Sequence, residues 1–167
     1  ITGTKGKSTT SSLLYHILKT CGKDVLFGGN IGLPIFDITE QIHPRTIIVF
    51  ELSCHQLEYA KNAPSKAILL NLYEDHLDHY GTVEKYWNAK KNIYRNQGYC
   101  DFLFCNPDFL PATGDCKATV IKVKPADLPF NSFEEIDGVT LRGSHNLFNC
   151  AFVYDVCRRY DISDADF

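Results

Sequence analysis

Methionine is absent from this 167-residue chain, tryptophan occurs once, and none of its seven cysteines forms a Cys-x-x-Cys pair. An odd number of cysteines without paired spacing does not fit a disulfide framework or a zinc site. We therefore expect reduced, mostly buried thiols, which are typical of a cytoplasmic protein.

Long apolar runs and basic clusters are also missing. No stretch approaches the ~20 apolar residues that a membrane-spanning helix needs, and no secretory leader is recognisable. The formal net charge is −3, so a nucleic-acid-binding surface has little support. These absences predict a cytoplasmic protein without a membrane or nucleic-acid partner.

The length and composition that remain are those of a single globular domain. The chain is 44% hydrophobic and 22% charged, and at this size it can bury a substantial core. It begins inside a loop motif, without the strand that normally precedes such a loop and without methionine. We therefore expect residues 1–167 to be one domain excised from a longer protein.

Residues 3–9, Gly-Thr-Lys-Gly-Lys-Ser-Thr, have the chemistry of a phosphate-binding loop. Glycines let the main-chain N–H groups converge on an anion, and the helix that follows adds a favourable partial charge. Lys7 would reach the terminal phosphates of a nucleotide, and the hydroxyl of Ser8 or Thr9 would bind Mg²⁺. Ile1 stands where the usual motif has glycine, so this is a shortened form. The alternative is a glycine-rich helix entry without a ligand.

Strand-like and helix-like patterns alternate along the chain. Each helical pattern combines apolar periodicity with a polar or glycine-containing start. Strands are predicted over residues 24–27, 46–50, 66–72, 102–106, 118–123 and 139–142, and helices over residues 7–18, 35–42, 83–96 and 143–159. This alternation predicts an α/β fold with a doubly wound, mostly parallel sheet.

Glu51 directly follows the apolar run at residues 46–50. A carboxylate at the C-terminal end of a buried strand lies where α/β sheets place their ligands. We interpret Glu51 as a Mg²⁺ ligand, with a helix-capping or salt-bridging glutamate as the alternative. Residues 73–79 carry a second acidic and histidine-rich cluster. It resembles a zinc site, but its oxygen-rich composition beside a nucleotide loop favours Mg²⁺.

The predicted helix at residues 83–96 carries a lysine next to its apolar face. Tyr86, Ala89 and Ile93 are spaced three and four residues apart and so share one face. Lys90 lies one step from that stripe, where a lysine is ordinarily a surface residue with a buried stem. The glycine-rich segment at residues 28–34 is, on its own, equally consistent with a flexible connection.

Taken together, these motifs resemble the central ATPase domain of the Mur ligases, the amide-forming enzymes of peptidoglycan synthesis. Residues 3–9 match their nucleotide loop, and Asn71-Leu72-x-x-Asp75-His76-Leu77-Asp78 matches their Asp-His signature. Residues 86–94 resemble their modified-lysine helix, and residues 143–149 resemble the start of their adenine-side helix. Four motifs in the family's order cover nearly the whole chain.

The resemblance implies a P-loop domain that binds ATP and Mg²⁺, with Lys7, His76 and Lys90 in catalysis. Its implied nucleotide contacts are Gly3, Thr4, Lys5, Gly6, Lys7, Ser8, Thr9, Asn146 and Asn149, the two asparagines facing the base. Its implied Mg²⁺ ligands are Ser8 or Thr9, Glu51, His76 and a carbamylated Lys90. Its implied substrate contacts are Asn30, Ser53 and His145.

Within the family, residues 28–34 and 51–58 most resemble the branch that adds D-glutamate to UDP-N-acetylmuramoyl-L-alanine through an acyl phosphate. Cys54-His55 stands where that branch usually has Ser-Phe, and Lys5 where asparagine is common. Such enzymes carry a UDP-sugar domain before the ATP domain and an amino-acid domain after it. The resemblance thus implies two small-molecule substrates and a monomer, and we expect residues 1–167 alone to bind ATP·Mg²⁺ weakly and form no amide.

Three other functions remain open: a different Mur ligase, a folylpolyglutamate synthase-like ligase, and an ATP-binding switch without enzymatic activity. Residues 28–34 and 51–58 weigh against the folate enzyme. The presence of Glu51, His76 and Lys90 together weighs against a switch, which needs no lysine at a second metal site.

Overall fold

A computed structural model describes residues 1–32 and 34–167. Leu33, in the predicted glycine-rich loop, lies outside the described residues. In chain order the elements are α1 (Lys7–Thr20), β1 (Val25–Gly29), α2 (Ile35–Ile38), β2 (Ile47–Glu51), α3 (Cys54–Glu58), β3 (Lys66–Leu69), α4 (Leu77–Tyr80), α5 (Val83–Arg95), β4 (Phe102–Cys105), β5 (Thr119–Lys122) and α6 (Ser144–Arg158).

All the strand pairs are parallel, which confirms the predicted α/β class. β1 pairs with β2, and β4 lies between β3 and β5. Parallel strands require crossover connections. The connection from β3 to β4 contains α4 and α5, whereas the one from β4 to β5 contains only the 3₁₀ turn Pro107–Phe109. β3 and β4 are buried over three of their four residues, as parallel strands covered by other elements are.

The chain forms two compact units. The first contains Ile1–Lys7 and Leu52–Lys122, and the second contains Ser8–Glu51 and Val123–Phe167.

The core of the first unit lies where α5 packs on α3 and β3. Ile93 and Tyr94 of α5 are fully buried there. Burial of a large apolar side chain stabilises a fold by about 1.5–3 kcal/mol. The buried members of this cluster are Leu57, Ala67, Leu69, Leu72, Ile93, Tyr94, Leu103 and Cys105.

Helix α5 begins where the sequence predicts. The Thr82 hydroxyl accepts a hydrogen bond from the Lys85 main-chain N–H at 3.3 Å, which satisfies one of the unpaired donors of the first turn. The buried face of α5 is wider than the predicted stripe. Lys90 and Tyr94 are buried in addition to predicted residues such as Tyr86.

In the second unit, α1 begins directly after the predicted phosphate loop. Leu14, Ile17 and Leu18 form its buried face, and Gly22 follows the helix with a φ of +71°. Helix α6 is buried along most of its length.

Two predicted elements differ from the structure. The strand predicted at residues 139–142 is wrong, because these residues have no regular structure. The Arg142 guanidinium donates to the Val139 and Leu141 carbonyl oxygens at 2.7 and 2.8 Å. These carbonyl groups are therefore bonded within their own segment and not to a neighbouring strand. The helix predicted at residues 35–42 is a single α-helical turn followed by the 3₁₀ turn Thr39–Gln41.

Within residues 1–32 and 34–167, every helix is too short or too polar to cross a lipid bilayer.

Gly29 ends β1 at a position where a side chain would meet the main chain of β2. It pairs with Glu51, its φ is +113°, and a Cβ atom there would lie 2.2 Å from the Glu51 carbonyl oxygen. We predict that Gly29→Ala lowers the free energy of unfolding by more than about 3 kcal/mol, because it adds a backbone clash to the cost of a positive φ.

Gly22→Ala is the matched control for this prediction. Its φ is also positive, but a Cβ atom there would meet nothing within 4 Å. Its expected cost is about 1 kcal/mol, from conformation alone. Urea denaturation of both variants measures the difference, and equal losses would contradict the proposed clash.

Candidate active site

The predicted phosphate loop is hydrogen-bonded to the end of β3 and to the segment that follows it. The Thr2 N–H donates to the Ile68 carbonyl oxygen at 2.9 Å, and the Thr2 carbonyl accepts from the Leu70 N–H at 3.0 Å. The buried Thr2 hydroxyl donates to the Leu52 carbonyl oxygen at 2.8 Å. The loop therefore starts as a short extension of the sheet.

Thr4 ties the loop to Tyr73 and Tyr86. Its hydroxyl donates to the Tyr73 carbonyl oxygen at 3.3 Å and accepts from the Tyr73 N–H at 3.0 Å and the Tyr86 hydroxyl at 3.1 Å. A hydroxyl has one proton and two lone pairs, so these bonds use its whole capacity. The Thr4 N–H is also engaged, by the Asn71 carbonyl oxygen at 3.1 Å. Thr4 holds the loop in shape.

Asn71 forms a reciprocal pair with Lys5. Its amide oxygen accepts from the Lys5 N–H at 2.9 Å, and its amide nitrogen donates to the Lys5 carbonyl oxygen at 3.0 Å. The Asn71 side chain thus satisfies the main-chain N–H and carbonyl groups of Lys5, as a neighbouring strand would do in a sheet. The asparagine at the start of the Asp-His signature has a structural role at the phosphate loop.

Two lysine side chains converge on one carbonyl oxygen of the loop. Lys7 Nζ lies 3.0 Å from the Gly3 carbonyl oxygen and 3.1 Å from that of Thr4. Lys90 Nζ lies 2.9 Å from the same Gly3 oxygen. The structure thereby brings the predicted phosphate-binding lysine and the lysine of the modified-lysine motif to the same place.

Lys90 is buried, with 1% of its surface exposed, and not the partly solvated lysine that its place beside the apolar stripe predicts. Its Nζ lies 4.8 Å from the centre of the Tyr86 ring. Burial lowers the pKa of Lys90 to about 8, and the nearby Lys7 lowers it further, whereas Cys54 and Asp75 act in the opposite direction. Near neutral pH the Lys90 amine is still mainly protonated, but its neutral fraction is far larger than that of a solvated lysine.

His76 has an unusual backbone conformation for a residue other than glycine. Its φ is 50° and its ψ is 35°, a left-handed conformation that is uncommon but tolerated by histidine. The Asp75 carboxylate accepts from the His76 N–H at 3.0 Å. The His55 ring meets the His76 ring edge-on, with centroids 5.4 Å apart. These contacts hold the imidazole of the Asp-His signature at the start of α4.

The second unit contains the predicted metal ligand Glu51, which is fully buried at the end of β2. Its Oε1 accepts from the Asn30 side-chain amide at 3.0 Å, and its Oε2 lies 3.3 Å from the Ser11 hydroxyl. Both of these donors are neutral. The alternative helix-capping role is wrong, because Ser53 caps α3.

The donor set at Glu51 fits Mg²⁺. Among the described residues, Glu51 forms no salt bridge, so its buried charge is balanced only by dipoles. In the same residues, no three His, Cys, Asp or Glu side chains are grouped so that they could hold a metal. Mg²⁺ in nucleotide sites commonly takes one or two carboxylates together with substrate phosphates and water. Ser8 and Thr9, in the first turn of α1, would add a hydroxyl ligand.

The remaining predicted residues have identifiable local partners. Asn146 donates to the Arg142 carbonyl oxygen at 2.9 Å, and Asn149 donates to the Asn146 amide oxygen at 3.3 Å, in the first two turns of α6. Ser53 forms a reciprocal capping box with Gln56. His145 is exposed beside Gly143. Their roles toward ligands stay predictions.

Ser11 is the site residue that sequence reasoning missed, because serine in a helix has no distinctive signal. Tyr86 and Asn71 were identified only as members of motifs.

The sequence pattern of the Mur ligase middle domain matches residues 1–125. The chain belongs to the Mur ligase family. The matched range includes the loop, the signature histidine and the buried lysine.

The curated relatives that resemble this chain share one enzyme name. UDP-N-acetylmuramoylalanine–D-glutamate ligase from Geotalea daltonii is 41% identical over 137 residues, which cover 81% of this chain and 29% of the relative. The enzyme of the same name from Clostridioides difficile is 38% identical over 171 residues, which cover 90% of this chain and 38% of the relative. The chain spans about a third of the length of these relatives.

Solved structures support the fold. The MurF ligase from Thermotoga maritima in complex with ADP is similar over 99% of this chain and 46% of its own, with a TM-score of 0.71 and 19% identity. The UDP-N-acetylmuramate:L-alanyl-gamma-D-glutamyl-meso-diaminopimelate ligase from Neisseria meningitidis covers 97% of this chain and 61% of its own, with a TM-score of 0.65 and 20% identity.

The lowered pKa of Lys90 predicts a pH-dependent stability. The unfolded chain binds a proton at Lys90 up to about pH 10.4, whereas the folded chain releases it near pH 8. Lys90 should therefore destabilise the fold below pH 8, and stability should rise with pH between these values. We predict that the difference in unfolding free energy between wild type and Lys90→Met shifts by about 2 kcal/mol between pH 7 and pH 10.

Chemical denaturation at several pH values measures this shift. The half-buried neighbour Lys91 offers the control, since Lys91→Met should show no comparable pH dependence. A pH-independent difference for Lys90→Met would contradict the lowered pKa.

Proposed function

We propose that this chain is the ATP-binding domain of a ligase that adds D-glutamate to UDP-N-acetylmuramoyl-L-alanine. The observation that carries the proposal is the set of curated relatives, 38–45% identical, that bear the name of this enzyme. The convergence of Lys7 and Lys90 on the Gly3 carbonyl oxygen supports it, and so does the buried carboxylate of Glu51 in the second unit. Residues 1–167 then form one domain of an enzyme that also has a UDP-sugar domain and an amino-acid domain.

The proposed reaction has two steps. The muramoyl carboxylate attacks the γ-phosphorus of ATP, so an acyl phosphate forms and ADP leaves. The amine of D-glutamate then attacks the acyl carbon, loses a proton, and expels inorganic phosphate from the tetrahedral intermediate. The protein contributes mainly position and charge neutralisation to such transfers.

Lys7 would neutralise the transferring phosphate. Its ammonium is already directed to the loop, where it binds the Gly3 and Thr4 carbonyl oxygens, and its flexible stem allows it to turn to a phosphate. The first-turn N–H groups of α1 have no partners within the helix and point toward the loop. Gly3, Thr4, Lys5 and Gly6 would shape the loop around the phosphates.

Mg²⁺ would supply charge neutralisation at the phosphate oxygens. Ser8 or Thr9 together with Glu51 would hold one ion. His76 and a carbamylated Lys90 would hold a second. An unmodified ammonium repels a metal ion, whereas a carbamate offers the oxygen ligand that Mg²⁺ prefers.

The burial of Lys90 supports this carbamate role. Carbamylation consumes the neutral amine: the nitrogen attacks CO₂, and one proton leaves. The lowered pKa of about 8 supplies that neutral form, which a solvated lysine has only rarely at neutral pH.

The remaining roles follow the family pattern. We propose that Asn146 and Asn149 contact the nucleotide base, and that Asn30, Ser53 and His145 contact the muramoyl substrate. A cytoplasmic monomer with no nucleic-acid or membrane partner completes the proposal. All seven cysteines are free thiols in the described residues, in keeping with a reducing compartment.

A folylpolyglutamate synthase-like ligase is the second candidate, because the same fold and phosphate loop serve that chemistry. The stretches at residues 28–34 and 51–58 favour the muramoyl substrate. A switch without catalysis has no use for a buried lysine, since burying Lys90 costs stability.

The function is tested in a full-length ligase that carries this segment. We expect ADP and phosphate release that depends on UDP-N-acetylmuramoyl-L-alanine and D-glutamate, and not on a folate. Lys7→Ala should lower the rate about 10³-fold, because it removes a charge that acts in the transition state. Turnover with folate and glutamate, or a loss below tenfold for Lys7→Ala, would contradict the assignment.

The carbamate proposal predicts chemical rescue. Lys90→Ala should abolish activity in the full-length ligase, and added acetate or formate should partly restore it by providing the missing carboxylate. Lys91→Ala should remain near wild type. Full activity of Lys90→Ala without added acid, or a larger loss for Lys91→Ala, would contradict the carbamate role.

A further inference from the structure

Ser11 lies in the second turn of α1 and is fully buried. Its hydroxyl oxygen is 3.3 Å from Glu51 Oε2 and 3.3 Å from the Ser8 carbonyl oxygen. It therefore touches both residues of one proposed metal site: the carboxylate of Glu51 and the main chain of Ser8.

The Ser11 hydroxyl has one proton for these two acceptors. Both distances exceed the about 2.7 Å of a single strong O–H···O bond, as expected for a proton shared between two oxygens. A helical serine ordinarily donates only to a carbonyl oxygen one turn earlier. The carboxylate is the stronger acceptor, because hydrogen bonds to an ionised group are charge-assisted.

Asn30 restrains the other side of the same carboxylate. Its main-chain N–H donates to the Glu51 carbonyl oxygen at 2.9 Å, and its side-chain amide donates to Glu51 Oε1 at 3.0 Å. The two carboxylate oxygens thus have one donor each, Asn30 from the loop after β1 and Ser11 from α1. Each oxygen keeps a lone pair for a cation.

We propose that Ser11 is a positioning residue of the metal site, which sets the orientation of the Glu51 carboxylate relative to the first turn of α1. The inference rests on the proposed role of Glu51 as a Mg²⁺ ligand. Asn30 alone leaves the carboxylate free to swing about its Oε1 contact, and the Ser11 hydroxyl removes that freedom. Partners that orient a metal ligand typically affect metal affinity 10- to 100-fold.

The test measures metal binding directly. Mn²⁺ replaces Mg²⁺ as a spin probe, and electron paramagnetic resonance gives its affinity for the purified chain in the presence of ADP. We expect Ser11→Ala to weaken Mn²⁺ binding about tenfold, and Ser11→Thr, which keeps the hydroxyl, to bind more tightly than Ser11→Ala. Ser12→Ala, an exposed serine on the same helix turn, should stay within twofold of wild type.

A double-mutant cycle with Glu51→Gln separates this inference from the proposed function. If Ser11 acts through Glu51, Ser11→Ala should weaken binding no further in the Glu51→Gln background. A Ser11→Ala variant within twofold of wild type, or fully additive losses, would overturn the inference while Glu51 remains a ligand. Unchanged Mn²⁺ affinity in Glu51→Gln alone would overturn the metal assignment of Glu51 and, with it, the inference.

Circular dichroism and urea denaturation check that the variants are folded. Ser11→Ala removes one oxygen and introduces no clash, so it should keep the wild-type fold. In the full-length ligase, the predicted signature is a raised Mg²⁺ requirement with kcat nearly unchanged at saturating metal. A lowered kcat at saturating Mg²⁺ with an unchanged Mg²⁺ requirement would contradict a positioning role.

Discussion

The attachment of the phosphate loop to the segment after β3 is the constraint on which the candidate site depends. Main-chain bonds of Thr2 and Thr4 reach residues 68–71, and the Asn71 side chain completes the set at Lys5. Gly3 lies between these fastenings, where a Cβ atom would come within 2.9 Å of Leu70 Cβ. A side chain at position 3 would therefore clash with Leu70 and displace the loop from the residues to which it is hydrogen-bonded.

This attachment also sets the direction of the Gly3 carbonyl group. With the N–H and hydroxyl of Thr4 both engaged, the peptide that joins Gly3 to Thr4 has little freedom to rotate. Its oxygen therefore remains available to lysine side chains. These hydrogen bonds fix the loop on which both lysines converge, and Gly3 provides close approach more than flexibility.

Each unit buries one ionisable side chain of the proposed chemistry, and both burials cost stability. Burial lowers the pKa of Lys90, because desolvation disfavours the ammonium form. Glu51 is surrounded by the neutral donors Asn30 and Ser11. Removing charge from water without a protein counter-ion is destabilising. A fold has reason to keep such groups only where a ligand compensates for them.

Much of the fold was predictable from sequence, because its signals are local. The apolar β-branched runs predict the parallel strands, and residues 83–96 show the three-and-four spacing of α5. The segment at residues 139–142 shows where local patterns fail: its strand-like composition is overridden by a guanidinium that binds carbonyl oxygens of its own segment. A strand also needs a partner, and sequence composition does not reveal one.

Candidate site residues were predictable from sequence where they belong to a recognisable motif. They were not predictable where only tertiary packing brings them to the site. Lys7, His76 and Glu51 belong to recognisable motifs, and the structure places each beside chemically suitable neighbours. The burial of Lys90 depends on how much of the α5 surface is covered, and periodicity alone misses two of its buried residues, Lys90 and Tyr94. Ser11 is significant only because Glu51 lies within 3.3 Å of it, and that proximity is a tertiary fact that no helical pattern contains.

Lys7 and Lys90 share an acceptor but differ in burial, and this difference fits the two roles proposed for them. Lys90 is enclosed by α5 and by the ring of Tyr86, so its nitrogen is held in one place, as a modified metal ligand requires. Lys7 is only half-buried and binds two main-chain oxygens that a phosphate, carrying full negative charge, would outcompete. Proximity of Lys7 also lowers the pKa of Lys90. The lysine proposed to bind phosphate thereby favours the neutral amine that the proposed carbamylation would consume, so the charge of Lys7 would link the two proposed roles.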